Sequence, residues 1–307
     1  MYYFFVYNNY YGNAIKALMY SAYKYNPHFI PICLWSEPKY KEDDLMYWLE
    51  EHGVTVLHHE PILNLSKQYK EIKEASDLLG WYINPLVLGC WAKIDVPQIC
   101  YELGINDKYV LMTDVDCLWR ATFEMTELPV IISAGPEEEP YHQHISGGIY
   151  VWNLERAMND YNKFLNYCLS HYKEVGHADN VGYVNYYGYD KITHMPPDWN
   201  FKTYWLNLGN DMYMSPKEKH KFHAIPKLLH YHGRSKPWAD FSSYYKKFYG
   251  EAIVKQMKEF EKEWYQCVKE ANDIPFKFKN NKTDVEKFSL SKIVNKPARN
   301  TAQALLF

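Results

Sequence analysis

The sequence predicts an α/β fold, a mainly parallel sheet flanked by helices. Strand-like apolar runs alternate with helix-like runs, beginning with YYFFVY and then the amphipathic AIKALMYSAYKY. The same order repeats in FIPICLW, DDLMYWLEEH and VTVLHH, and Gly53 stands where a helix C-cap is expected. Such alternation indicates parallel strands, because each crossover between parallel strands requires a helix-sized connection.

Later segments extend this pattern. The sequence predicts a helical segment over 91–103 around Pro97, a strand at YVLM, a strand at PVIISAG, and a strand in ISGGIYVWNLE that passes into a helix over 155–173. Residues 177–201 are rich in Asn, Gly, Tyr and Pro, so we expect irregular, partly buried chain there. Apolar residues at helical spacing predict a further helix over 239–271 that packs on the core.

The elements suggest three parts: a main domain over 1–240, a C-terminal helix over 241–272 packed on it, and a basic tail over 273–307. From Phe276 onward the tail holds seven basic residues against two acidic ones, with apolar residues between them. It could be a flexible tail that contacts a membrane surface, and a plain solvated tail is an equal alternative.

Composition limits the classes of function. The chain has 307 residues and a net charge of -3, so its overall charge gives no reason to expect DNA or RNA as a partner. Its six cysteines are widely spread and are expected to be reduced thiols. We find no signal peptide and no run near the roughly 20 apolar residues that span a bilayer. The expected location is cytoplasmic or at a membrane surface.

An acidic triplet, Asp114-Val115-Asp116, follows the strand YVLMT directly. Residues two apart in an extended segment point to the same side, so both carboxylates can face one point. Hard oxygen ligands at that spacing suit Mg²⁺ or Mn²⁺ shared with a diphosphate, and ligands of open α/β sheets gather at the carboxyl ends of strands. Acidic residues also form ordinary turns after strands, so the triplet alone does not establish a site.

A second group stands in LLHYHGRSKPW. His230 follows an apolar strand and could complete the coordination of a divalent ion, while His232 is expected to be a hydrogen-bonded structural residue. Gly233 allows backbone amides to approach a phosphate, and Lys236 supplies a cation to it.

Together the two groups resemble glycosyltransferase family 8, the family of glycogenin and the bacterial lipopolysaccharide galactosyltransferases. The family's His-x-x-Gly-x-x-Lys-Pro-Trp motif is intact from His230 to Trp238, and the resemblance covers residues 2 to about 240. It implies a GT-A fold, Rossmann-like, with a C-terminal helical extension.

The resemblance also implies roles for individual residues. Asp114, Asp116 and His230 would bind Mn²⁺, with Mg²⁺ as the alternative, and Gly233 and Lys236 would hold the diphosphate of a UDP-sugar. Asp114 would also contact the ribose, with Val115 beside it. The remaining donor contacts would come from the first strand and loop and from one helical cation: Val6, Tyr7, Asn8, Tyr11 and Lys93. Lys93 stands where the family usually has arginine, so a cation is kept and the bidentate fork is lost.

Two further segments match with departures. Ser146 and Gly147 would lie beside the donor sugar, but Ile145 stands where the family usually has Asn. Asp179 and Asn180 resemble the family's Asp-Gln pair near the reacting sugar, with Asn one methylene shorter than Gln. Turn formation and helix capping are structural alternatives for these two segments.

The implied activity is transfer of a hexose or similar sugar from UDP to an acceptor hydroxyl on a glycan, glycolipid or protein, with retention at the anomeric carbon. Lys236 and the metal would neutralise charge on the departing diphosphate. Asp179 is the one candidate nucleophile for a double displacement, whereas the family is usually described with same-face attack guided by the leaving phosphate, so no nucleophile is assigned. A nucleotidyltransferase and a non-catalytic sugar-nucleotide or glycan-binding module are the alternatives.

Overall fold

The computed structural model describes residues 1–7, 12–35, 44–61, 84–125, 127–137, 145–175, 179–208, 211–213, 222–223, 225–239 and 242–279. Within these ranges the strands are β1 (Tyr2–Tyr7), β2 (Ile30–Trp35), β3 (Thr55–His58), β4 (Tyr109–Thr113), β5 (Cys117–Trp119), β6 (Ile132–Pro136), β7 (Ile145–Asn153), β8 (Thr193–His194), β9 (Phe201–Lys202), β10 (Leu206–Leu208), β11 (Asp211–Tyr213), β12 (Phe222–His223) and β13 (Leu228–His230). The helices are α1 (Gly12–Tyr25), α2 (Asp44–Glu51), α3 (Asn84–Ile94), α4 (Val96–Glu102), α5 (Leu154–Ser170), α6 (Tyr172–Val175), α7 (Asp179–Tyr187), α8 (Ser242–Tyr249) and α9 (Glu251–Asp273), with 3-10 turns at Tyr189–Lys191 and Pro197–Asn200.

A seven-stranded sheet forms the centre of the molecule, in the order β3-β2-β1-β4-β7-β6-β8. Strands β1 to β4 are parallel to one another, β7 is antiparallel to both of its neighbours, and β8 is parallel to β6. The prediction of a mainly parallel α/β sheet flanked by helices is therefore confirmed.

Both faces of this sheet are covered. Tyr3 and Phe5 of β1 pack in one core cluster with residues of α1 and α9, whereas Phe4 and Val6 pack in the other with residues of α3, α4, α5 and α7. Successive side chains of a strand point to opposite faces, so a strand covered on both sides has no polar face. This explains why YYFFVY is apolar throughout instead of alternating.

A smaller sheet in the order β5-β13-β9 lies beyond the end of β4. Strand β13 is antiparallel to β5 and parallel to β9, and His230 is the register partner of Cys117 on one side and Lys202 on the other. Because β5 begins directly after the acidic triplet, this pairing carries His230 to that triplet. Strands β10, β11 and β12 form a further antiparallel sheet.

The expectation of irregular chain over 177–201 is wrong for α7. Gly182 allows this helix to approach α5 closely, since an added Cβ would lie 3.0 Å from Cys168 Sγ. Tyr183 stacks on Phe164 of α5 with 4.4 Å between ring centroids. Tertiary packing of aromatic side chains thus stabilises a helix that local propensity does not favour.

Two predicted helices are each divided in the structure. The segment predicted over 91–103 forms α3 and α4, and Pro97 lies in the first turn of α4, where its missing N–H is tolerated. The C-terminal helix predicted over 241–272 forms α8 and α9, separated by Gly250 with φ +84°. The apolar stripe of α9 is part of the core, as predicted, with Met257, Phe260 and Trp264 buried.

The first residues of the predicted tail pack on the N-terminal half of the chain. Phe276 and Phe278 are buried, and Phe278 N–H donates to the His52 carbonyl at 3.0 Å. At Gly53, with φ +80°, an added Cβ would lie 2.6 Å from the Phe278 carbonyl oxygen. The chain is therefore anchored through Phe278, and the rest of the predicted tail lies outside the described residues.

In the described part of the chain no helix has both the length and the apolar character needed to cross a membrane. All six cysteines lie among the described residues, and none of them forms a disulfide.

The aromatic contacts of Phe276 predict a large loss of stability in Phe276→Ala. Its ring lies 4.4 Å from His52, 5.2 Å from Tyr23 and 5.5 Å from Tyr20, measured between ring centroids. Removing a buried phenylalanine ring leaves a cavity, so we expect the free energy of unfolding to fall by about 3 kcal/mol or more in urea denaturation. Ile274→Ala is the control: Ile274 is 45% exposed in the same segment and should change stability by less than about 0.5 kcal/mol. Equal losses in both variants would contradict the anchoring.

Candidate active site

The turn between β4 and β5 places two carboxylates beside the imidazole at the end of β13. His230 Nε2 lies 3.7 Å from Asp114 Oδ2 and 3.5 Å from Asp116 Oδ1. Backbone bonds hold this arrangement, since Asp114 N–H donates to the Gly148 carbonyl at 3.0 Å and Tyr231 N–H donates to the Asp116 carbonyl at 2.9 Å. The structure thus brings together the three residues that the sequence analysis names as metal ligands.

Each carboxylate also contacts an ammonium group. Lys93 Nζ lies 2.6 Å from Asp114 Oδ1 and donates to the Gly147 carbonyl at 3.0 Å. Lys236 Nζ contacts the Asp116 carboxylate and donates to the Tyr231 carbonyl at 2.7 Å. Lys93 belongs to α3 and Lys236 to the turn after β13, so two separate elements supply positive charge to the acidic turn.

Burial differs between the two carboxylates. The side chain of Asp114 is 28% exposed and that of Asp116 is 10% exposed, so the cluster opens on the side of Asp114. Burial opposes ionisation of Asp116, but the positive charge of Lys236 and the side-chain contacts of Lys236 and His230 outweigh it and hold the pKa of this carboxyl well below its usual range. Asp116 therefore remains a carboxylate at neutral pH.

Cys117 is a further group near these ligand atoms, with its Sγ within 4.8 Å of those of Asp116 and His230. Burial raises the pKa of this thiol, and the negative charges of Asp116 and Asp114 raise it further. Its Sγ donates to the Gly148 carbonyl at 3.7 Å. A neutral thiol is a poor ligand for a hard cation. Asp114 lies outside this group of atoms within 4.8 Å, but it offers a carboxylate oxygen 3.7 Å from His230 Nε2.

The second ring nitrogen of His230 faces an amide that the sequence analysis missed. His230 Nδ1 lies 2.9 Å from Asn200 Oδ1, and Asn200 Nδ2 donates to the Pro136 carbonyl at 3.1 Å. Gly148 makes room for this pair, since an added Cβ would lie 2.4 Å from His230 Nδ1. A glycine inside a strand does signal close approach of another group. Asn200, in contrast, lies in the segment DWNFK, where no motif or residue spacing indicates a functional role.

His232 has the structural role expected of it. Its Nδ1 lies 3.1 Å from the Tyr204 hydroxyl. Burial lowers the pKa of this imidazole well below its usual value, and the nearby positive charge of Lys202 adds to the effect. His232 is therefore a neutral, hydrogen-bonded side chain.

The segments matched to the donor sugar lie around the start of β7. Ser146 is buried, and its Oγ accepts from Gly148 N–H at 3.3 Å. The Gly147 carbonyl is the acceptor for Lys93 already described. Asn180 Nδ2 donates to the Ile145 carbonyl at 2.6 Å, so the start of α7 is tied to β7. Asp179 is the first residue of α7, and its side chain lies outside the described part of the chain.

The residues matched to the uridine edge are only partly described. Val6 and Tyr7 end β1, which pairs with β4 and so reaches the sheet edge where the acidic turn lies. The Tyr7 ring is buried against Trp35, with 4.7 Å between ring centroids, and is a core residue. Asn8 and Tyr11 lie outside the described residues.

The last two matched residues shape turns. Val115 is partly buried and packs against the core beneath the acidic turn. Gly233 has φ +60°, a left-handed conformation that glycine adopts without strain, and an added Cβ would meet no atom within 4 Å.

Neither a protein-family model nor a curated protein matches the sequence. Solved structures do match. The galactosyltransferase LgtC, solved in complex with donor and acceptor sugar analogues, is 14% identical with a TM-score of 0.58, over 84% of this chain and 96% of LgtC. The glycosyltransferase GlyE of Streptococcus pneumoniae TIGR4 is 14% identical with a TM-score of 0.53, over 87% of this chain. The bifunctional glycosyltransferase WbbM is 15% identical with a TM-score of 0.53, over 86% of this chain and 51% of WbbM.

The match spans 64% of the GlyE chain, slightly under two thirds of its length. At these identities the comparisons establish the fold, which is the GT-A type of these glycosyltransferases.

The close approach at Gly148 predicts that Gly148→Ala destabilises the protein. The added methyl group would lie 2.5 Å from Asn200 Oδ1 as well as 2.4 Å from His230 Nδ1, and the surrounding strands leave little room to adjust. Overpacking of this kind typically costs about 1–3 kcal/mol, which guanidinium denaturation would detect. The matched control is Gly12→Ala, where the nearest atom to the added methyl is Tyr7 Oη at an ordinary 3.7 Å. If the two variants unfold at the same denaturant concentration, the packing of Gly148 against His230 and Asn200 is looser than described.

Proposed function

We propose that the chain is a metal-dependent glycosyltransferase that moves a hexose or similar sugar from a UDP-sugar to an acceptor hydroxyl. The observation that carries the proposal is that carboxylate oxygens of Asp114 and Asp116 lie 3.7 Å and 3.5 Å from His230 Nε2, and that each carboxylate contacts a lysine. The GT-A fold supports sugar transfer in general. LgtC holds donor and acceptor sugar analogues, which supports the same kinds of partner here.

The donor set fits Mn²⁺, with Mg²⁺ as the alternative. Two carboxylates are hard oxygen ligands and a neutral imidazole nitrogen suits a borderline divalent ion. On this proposal Asp114, Asp116 and His230 hold the ion, which when bound neutralises negative charge on the departing diphosphate. The accessible side of the cluster, at Asp114, is where a nucleotide would approach.

The charges of the site support a joint binding of metal and diphosphate. Two carboxylates paired with two ammonium groups sum to zero net charge. A divalent cation and the doubly charged diphosphate of a UDP-sugar also sum to zero. Either ligand alone would leave two uncompensated charges around the buried Asp116, where water screens poorly. We therefore infer that each ligand strengthens binding of the other.

The protein groups would then act as follows. Gly233 and Lys236 would hold the diphosphate, and the Lys236 ammonium would donate to its oxygens as the bond to the sugar breaks. Ser146, Gly147, Asp179 and Asn180 would line the donor sugar, and Lys93 would keep Asp114 oriented. The uridine would lie at the end of β1, near Val6, Tyr7, Asn8 and Tyr11. Retention at the anomeric carbon is part of the proposal, without an assigned nucleophile. The acceptor would be a glycan, a glycolipid or a protein.

Loss of a ligand should abolish turnover without unfolding the protein. We expect Asp116→Asn and His230→Ala to lower Mn²⁺-stimulated UDP release from a panel of UDP-sugars by more than about 100-fold, because removing the metal forfeits several kcal/mol of transition-state stabilisation. Circular dichroism would report the fold. Cys117→Ser is the matched control, since we assign this neighbouring residue no ligand role, and it should keep UDP release within a few-fold of the wild type.

Other outcomes would favour other functions. Full activity in Asp116→Asn or His230→Ala would refute the metal assignment. Binding of UDP-sugar without release of UDP would indicate a non-catalytic module, and consumption of a nucleoside triphosphate would indicate a nucleotidyltransferase.

The balance of charges at the site predicts reciprocal coupling between Mn²⁺ binding and UDP binding. In calorimetric titrations we expect Mn²⁺ to tighten UDP binding by roughly tenfold or more, and UDP to tighten Mn²⁺ binding by the same factor. Lys236→Met removes one positive charge, so it should weaken UDP binding while Mn²⁺ alone binds at least as tightly as to the wild type. Lys262→Met, at a side chain 72% exposed on α9, should change neither. Weaker Mn²⁺ binding with unchanged UDP binding in Lys236→Met would mean that this lysine orients the Asp116 carboxylate and does not bind the diphosphate.

A further inference from the structure

A histidine binds a metal through a nitrogen lone pair, so the position of the ring proton decides which of its two nitrogens can be a metal ligand. For His230 the nitrogen that faces Asp114 and Asp116 is Nε2. A neutral imidazole carries one proton, and Nε2 is free to ligate only if that proton is on Nδ1. What lies beside Nδ1 therefore controls the ligand.

The neighbour of Nδ1 is Asn200, and its orientation follows from its other contact. The Pro136 carbonyl can only accept a hydrogen bond, so the group 3.1 Å from it must be the Asn200 NH₂. The amide oxygen Oδ1 then faces His230 Nδ1 at 2.9 Å. Because Oδ1 also can only accept, Nδ1 must be the donor. The chain Pro136 to Asn200 to His230 thus keeps a proton on Nδ1, so that Nε2 is the nitrogen left to bind a metal ion.

The surroundings prevent either side chain from turning away. Asn200 and His230 are both buried. Gly135 and Gly148 face Asn200 so closely that added Cβ atoms would lie 2.4 Å from its Cβ and 2.5 Å from its Oδ1. A flip of the His230 ring would set a carbon against Asn200 Oδ1 and leave that buried oxygen without its hydrogen bond, at a cost in free energy. Strands β6 and β7 therefore form a fitted cradle for this pair.

We propose that Asn200 is a positioning residue for the metal site: it holds His230 in the Nδ1–H tautomer and so sets the affinity for a divalent cation. The proposal rests on the metal ligands of the proposed function and adds a residue that does not touch the ion. Hydrogen bonds to ligating histidines commonly govern metal affinity in this way.

Two substitutions at the same position separate this role from a merely structural one. Asn200→Leu and Asn200→Asp both lose the donor to the Pro136 carbonyl, so both should lower stability. Only Asn200→Asp keeps an oxygen that accepts from His230 Nδ1. We expect Asn200→Leu to weaken Mn²⁺ binding by about 10–100-fold, whereas Asn200→Asp should remain within about threefold of the wild type or bind more tightly. Titration of the free protein with Mn²⁺, followed by the electron paramagnetic resonance signal of unbound ion, measures this without any sugar donor.

A second measurement uses the wild-type protein, so it does not depend on whether the Asn200 variants fold. In ¹⁵N-histidine-labelled wild-type protein without metal, nitrogen chemical shifts report which ring nitrogen carries the proton. The signals of His230 are those that disappear in His230→Gln. We expect Nδ1 to carry a proton, and protonation on Nε2 alone would overturn the proposal.

The remaining outcomes are also distinct. Wild-type affinity in Asn200→Leu, or equal losses in Asn200→Leu and Asn200→Asp, would refute the role of Asn200 while leaving UDP release by the wild type unaffected. Mn²⁺ binding that follows the expected order, without UDP release from any donor, would instead support Asn200 and refute the proposed activity. Absence of Mn²⁺ binding by the wild type would refute both.

Discussion

The pairing of β13 with β5 is the contact on which the rest of the site depends. Leu228 and Leu229 are buried in this strand pair, and their register with Trp119 and Leu118 sets His230 opposite Cys117. A shift of one residue would turn His230 to the other face of the strand, away from both aspartates. Apolar burial therefore fixes the position of a polar group more than 100 residues away along the chain from its partners.

The motif residues could be identified from the sequence because each lies in a short local pattern. The two aspartates follow an apolar strand, and His230, Gly233 and Lys236 share one intact motif. Strand order and the antiparallel insertion of β7 could not be read in this way, since they depend on contacts between distant segments. The sheet was nevertheless predictable in outline, because alternation of strands and helices is itself local.

Asn200, Gly135 and Gly148 show why part of the site could not be predicted. Each matters through a contact with a segment remote in sequence. A glycine in a strand signals that some group approaches closely but not which one, and Asn200 carries no such signal. The helix α7 was missed for a related reason: its sequence is poor in helix-forming residues, and the stacking of Tyr183 on Phe164 becomes visible only in three dimensions. Propensity is a weak guide where tertiary contacts supply the stability.

The return of the chain at Phe276 and Phe278 has a consequence for how the protein folds. These residues close over α1 and α2, and α1 also meets α9 through Lys16 and Asn272 at 2.8 Å. The core on that side of the sheet therefore joins segments more than 200 residues apart. Contacts of such long range slow folding, because the entropy of closing the loop is lost before the contact forms. During synthesis, the apolar side chains of α1 that pack against this C-terminal segment therefore stay exposed to solvent until the end of α9 has left the ribosome.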